Sequence, residues 1–74
     1  MSKATQQTRI RNNIRTLRFH NGEMTQEDLG DRVGLTRQTI IAIEQSRYSP
    51  SLEAAFKIAH VFGVPLEDVF QYGD

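Results

Sequence analysis

Apolar residues recur along this chain at helical spacing, and no stretch alternates as a half-buried strand would. Ile10, Ile14 and Leu17 fall at i, i+4 and i+7, predicting one face of a first helix that Asn21-Gly22 ends, since both residues tolerate a left-handed backbone. Thr25 opens a second helix, and Asp28 three residues on completes a capping-box-like pattern with negative charge at the positive helix end. Leu29 and Val33 give that helix its apolar face before Gly34 stops it. Thr36 is the next N-cap, and the third helix turns Ile40 and Ile43 inward. After a loop over 45–50, Ser51 caps a fourth helix whose expected core residues are Leu52, Ala55, Phe56, Ala59 and Phe62. Gly63 breaks it, and Pro65 suits the first turn of a short fifth helix with Leu66, Val69 and Phe70 facing in. The last four residues are expected to fray.

The segments 26–33 and 37–45, joined by Gly34-Leu35-Thr36, make two short helices around a glycine-containing turn, which is the helix-turn-helix arrangement. Gly30 sits mid-helix where a larger side chain would hold the pair apart. Leu29, Val33, Leu35, Ile40 and Ile43 form the small core that sets their crossing angle.

Size and charge change this picture in two ways. A chain of 74 residues is one small domain that buries only roughly 60% of its unfolded surface. It has no cysteine, so neither disulfides nor thiolate-bound metal can support it. The net charge is zero but polarised: residues 1–22 hold Lys3, Arg9, Arg11, Arg15 and Arg18 with no acid, while residues 48–74 hold four acids and Lys57. The local field, not the total, is what a polyanion meets. No apolar run approaches a membrane span, and the polar segment 1–7 lacks the core of a secretory signal, so a cytoplasmic protein is expected.

Catalysis is not expected. There is no cysteine nucleophile, no phosphate-cradling glycine loop and no His-Glu-x-x-His pattern, and His20 and His60 read as surface residues. No cofactor, metal or small-molecule effector is implied.

The run Leu17-Arg18, Met24 to Gly30, Val33 to Ile40 and Ile43-Glu44, with the later Ser49-Pro50-Ser51-Leu52 and Phe62 to Leu66, resembles the Cro and phage-repressor type of regulator, the xenobiotic-response-element family. The likeness spans about residues 9–71. It implies an all-α, compact five-helix repressor-like domain with its helix-turn-helix at helices 2 and 3. Residues 1–8 would be a flexible arm, with Lys3 able to reach towards a duplex, and residues 72–74 a tail. The resemblance implies that the third helix enters the major groove of double-stranded DNA and reads bases with Arg37, Gln38, Thr39, Ile41 and Ala42. Arginine can pair bidentately with guanine and glutamine with adenine.

Thr25, Gln26, Arg47, Tyr48, Arg11 and Arg15 are the candidate phosphate contacts, which position the protein without reading sequence. In similar proteins the glutamine matching Gln26 braces backbone and recognition helix, and the residues matching Arg18 and Glu44 form a structural ion pair. Ser46 stands where the family usually has glycine, and the turn at 21–23 is about one residue longer than in the shortest phage repressors. A homodimer on a palindromic operator is expected, with Leu66, Phe70 and Tyr72 as interface candidates. The rival reading is an antitoxin-like or adaptor module that binds a protein partner, which the acidic C-terminal half would suit.

Overall fold

The computed structural model describes residues 8–73 and contains five helices and two short strands: β1 (Ile10–Asn12), α1 (Ile14–His20), α2 (Gln26–Val33), α3 (Arg37–Glu44), α4 (Leu52–Phe62), α5 (Leu66–Val69) and β2 (Phe70–Tyr72). No helix among the described residues is long and apolar enough to cross a membrane. Lys3 and the rest of segment 1–7 lie outside the described residues.

The strands are the first departure from expectation. β1 and β2 pair antiparallel in the register Ile10↔Tyr72, Arg11↔Gln71 and Asn12↔Phe70. The first helix therefore starts at Ile14, and Ile10 stands in a strand. Its N-terminus is capped from two residues back, where Asn12 Oδ1 accepts the Ile14 N–H at 3.1 Å. Thr8, assigned to a flexible arm, donates its N–H to the Ser46 carbonyl at 2.9 Å. Phe70 to Tyr72, expected as helix end and frayed tail, form a paired strand because β1 supplies a partner ladder about sixty residues upstream.

The helix boundaries follow from the caps. Thr25 Oγ1 accepts the Asp28 N–H at 2.9 Å, and Asp28 Oδ2 accepts the Thr25 N–H at 3.3 Å. The hydroxyls of Thr36 and Ser51 accept from Thr39 and Ala54 at 3.1 Å each. Gly34 ends α2 with φ of +78°. Pro65 is the N-cap of α5, one residue before the helical turn in which it was expected.

The core draws on every helix: Ile14, Leu29, Val33, Ile40, Ile43, Ile58, Phe62 and Val69 are buried, together with Met24 from the turn before α2. Leu66 and Phe70 pack against it half-buried. On α4 the expected core is corrected, since Leu52 and Phe56 are 68% and 53% exposed. The helix buries Ala54, Ala55, Ile58, Ala59 and Phe62 instead. At about 100° per residue, Leu52 and Phe56 lie roughly 90–130° away from the centre of that stripe. The helix is apolar around more than one face, and the broader stripe is the one that packs.

Candidate nucleic-acid interface

The close approach of α2 to α3 depends on Gly30. A Cβ there would stand 2.5 Å from the Leu35 carbonyl oxygen, so only glycine admits the turn backbone at this distance. The Leu35 N–H donates to the Gly30 carbonyl at 2.9 Å, closing the turn.

Together α1, the N-terminus of α2 and α3 enclose an open groove of about 910 Å³. Glu44, at the end of α3, ties its three walls together. Arg18 of α1 donates Nε to Glu44 Oε2 at 2.7 Å and Nη2 to Oε1 at 3.2 Å, a bidentate arrangement. Gln26, the first residue of α2, donates Nε2 to the same Oε1 at 3.2 Å. Arg18 also donates Nη1 to the Met24 carbonyl at 2.9 Å. The Arg18 and Glu44 side chains are only 13% and 10% exposed, so these bonds are shielded from solvent competition. The arginine and glutamate implied as a pair are thus bonded, and the glutamine implied as a brace is bonded to the glutamate.

The C-terminal end of α3 has a second anchor that sequence reasoning missed. Asn12 Nδ2 donates to the carbonyls of Ile43 and Glu44 at 3.0 and 3.4 Å while its Oδ1 caps α1. One amide side chain therefore joins the start of α1 to the end of α3. An Asn-Asn pair just before an apolar helix was the available signal. Next to it, Ser46 adopts φ of +59°, the left-handed conformation that the usual glycine would take. Its hydroxyl donates to the Ile10 carbonyl at 3.0 Å, a bond glycine could not make.

The groove brings together Arg15, Arg18, Thr25, Gln26, Arg37, Ile41 and Glu44 from the expected set. Gln45 and Phe19 also line it, the latter 65% exposed, and neither was singled out from sequence. Other expected residues lie outside this lining. Gln38 is exposed on α3. Thr39 is half-buried, its hydroxyl 3.0 Å from that of Thr36. Ala42 is half-buried and its carbonyl accepts the Arg47 N–H at 2.9 Å. Arg47 donates Nη1 to Gln45 Oε1 at 3.2 Å, and Tyr48 is exposed in the following loop. Arg11 points along the sheet, donating Nε to the Gly73 carbonyl at 3.2 Å. Leu66 and Phe70 belong partly to the core, whereas Tyr72 is 74% exposed.

The electrostatics of the groove are more balanced than the basic N-terminal segment suggested. Arg15, Arg18 and Arg37 line it with Glu23, Glu27 and Glu44. With Arg18 and Glu44 neutralising each other, two arginines face two glutamates. The net field at its mouth is therefore close to neutral rather than basic.

A helix-turn-helix family model matches residues 14–69. The chain belongs to the helix-turn-helix family. Within it, the resemblance to Cro and phage-repressor regulators is supported by a relative that is itself a phage repressor. The chain is 59% identical over 56 residues to MJ0272 of Methanocaldococcus jannaschii, an uncharacterised HTH-type transcriptional regulator, covering 76% of this chain and 82% of that one. It is 34% identical over 56 residues to the cryptic phage CTXphi transcriptional repressor RstR of Vibrio cholerae, covering 76% of this chain and half of RstR. A crystal structure of the hypothetical transcription factor NHTF from Neisseria superposes with a TM-score of 0.69 at 32% identity, over 76% of this chain and 62% of NHTF.

Proposed function

We infer that this helix-turn-helix protein is a sequence-specific, double-stranded DNA-binding transcriptional regulator, and that it acts as a repressor. The observation that carries the reading is the clamp on Glu44, by which Arg18 and Gln26 hold α3 so that Arg37 and Ile41 line an open groove. The relatives named as transcriptional regulators, and RstR as a repressor, support the same reading. Arg37, Gln38, Thr39, Ile41 and Ala42 contact base edges in the major groove, with Ile41 placed to meet a thymine methyl. Thr25, Gln26, Arg15, Arg47 and Tyr48 contact phosphates and set the register. Arg11, engaged with Gly73 on the sheet, contributes least. One such helix reads only a few base pairs. Two copies therefore act together on a palindrome, with half-sites about 34–36 Å apart.

Selection of bound duplexes from a random library, at about physiological salt, tests this reading. Recovery of a palindrome with half-sites one helical turn apart is the expected result. A folded protein that enriches nothing over the starting pool overturns it.

One observation favours a protein partner in addition. Leu52 and Phe56, one turn apart on α4, stand 68% and 53% exposed. An antitoxin-like or adaptor role would use that face, and failure of the selection would direct attention there.

A further inference from the structure

A second groove, an open cleft of about 520 Å³, lies between the last turn of α2 and the exposed face of α4. It shares no lining residue with the groove built around Glu44. Val33, Phe56 and Val61 give it an apolar lining, and Phe56 is more than half exposed. Leu52, one turn before Phe56, extends the apolar strip along the same face of α4.

The charges around this strip lean to one sign. Arg32 comes from α2, and Lys57 and His60 come from α4, against the single acid Glu53. Glu53 and Lys57 meet at 3.7 Å as an exposed i,i+4 pair, which holds neither side chain firmly. Lys57 is the only lysine or arginine after Arg47, in a segment that holds four acids. The one such cation of the acidic half therefore stands next to its exposed phenylalanine.

An apolar strip between two helices suits an amphipathic helix that lays its own apolar face into the groove. The complement of this rim is acidic. Duplex DNA matches the rim in sign, but its phosphates offer Val33, Phe56 and Val61 nothing apolar to pack against. Residues 1–7 of this chain contain Lys3 and no acid, so they have the wrong sign. The acidic segment Leu66–Val69 turns Leu66 and Val69 into its own core, so a second copy has no such face to offer.

We propose that the groove between α2 and α4 binds an acidic amphipathic segment of another protein, its apolar anchors on Phe56 and Leu52 and its carboxylates facing Arg32, Lys57 and His60. The proposal rests on the protein-partner reading of the preceding section and names the chemistry of that partner. Because the two grooves share no lining residue, the partner leaves Arg37 and Ile41 free.

Selection from a displayed library of random peptides, each of about 16 residues or roughly four helical turns, tests the groove on the full chain. Enriched peptides should carry apolar residues at i and i+3 or i+4, with an excess of aspartate and glutamate. Their binding should shift backbone amide resonances of residues 32–34 and 53–61, and should weaken as salt rises from about 0.05 to about 0.5 M. Phe56→Ala should weaken it at least about tenfold. Arg32→Glu combined with Lys57→Glu should reverse the preference for acids. All three side chains are exposed, so both variants should keep their helical circular dichroism.

No enrichment, enrichment of basic or uncharged peptides, or shifts confined to the groove around Glu44 overturns the proposal. So does binding that survives both variants. Duplex affinity is measured on the same preparation. Peptide binding without duplex binding refutes the regulator and leaves the partner site standing, and the reverse result refutes the partner site alone.

Discussion

Replacing Arg18 by methionine probes the clamp on the recognition helix. The change removes both bonds to Glu44 and the bond to the Met24 carbonyl while keeping most of the apolar stem. Glu44 is left 10% exposed with only the Gln26 amide to answer its charge. Breaking a buried pair from one side costs about 3–5 kcal/mol. The surviving Gln26 bond and the residual exposure reduce this to about 2–3 kcal/mol.

A domain of 74 residues has a total stability of roughly 4–11 kcal/mol, so the loss is a large fraction of it. At about 4–8 °C per kcal/mol for this size, the melting temperature should fall by roughly 8–24 °C. Glu44→Met should cost a similar amount, since it strands Arg18. The double variant leaves no unpaired charge and should recover much of the loss. Thermal melts followed by circular dichroism, with urea titrations for the free energies, supply the cycle. Single variants that each cost under about 0.5 kcal/mol, or a double variant equal to their sum, would refute the coupling.

Gly30→Ala should destabilise the fold by about 1–3 kcal/mol despite alanine's better helix propensity, because its Cβ meets the Leu35 carbonyl; a stabilised variant in urea unfolding would contradict the close approach. Ser46→Ala keeps the left-handed backbone but loses the bond to Ile10, and should cost about 1 kcal/mol. Ser46→Gly loses the same bond but relieves the strain, so it should stay within about 0.5 kcal/mol of wild type. A reversed order of the two Ser46 variants would remove the hydroxyl from the account. Arg37→Ala should weaken operator binding by about 1–3 kcal/mol while barely changing affinity for random duplex. Equal loss on both in titrations at fixed salt would make Arg37 a phosphate contact.

What could be read in the sequence was whatever is decided within a few residues. Thr25 with Asp28, Thr36, Ser51, Gly34 and Gly63 mark helix ends by local sterics and capping, and they stand at those ends in the structure. The helix-turn-helix pair and the buried Leu29, Val33, Ile40 and Ile43 were legible for the same reason. The strands were not. Three residues carry no measurable period, and the order of each strand comes from the other across the whole domain. The exposure of Leu52 and Phe56 depends on which of two apolar stripes α4 turns inward, and its neighbours decide that. Asn12 and Ser46 act on α3 from β1 and from the following turn, through hydrogen bonds that no local pattern announces. Within the groove, the paired arginine and glutamate could be expected from the family resemblance. The balancing role of Glu23 and Glu27 needed the three walls in place.

The pairing of β1 with β2 also sets the order in which the molecule is completed during synthesis. At about 5–20 residues per second, the ribosome delivers β2 some 3–12 s after β1, far longer than a small helical domain needs to fold. Until then β1 has no ladder, and the Asn12 and Ser46 links between β1 and the end of α3 lack the scaffold that orients them. A nascent chain halted anywhere before Phe70 therefore carries the whole recognition helix without its rear support.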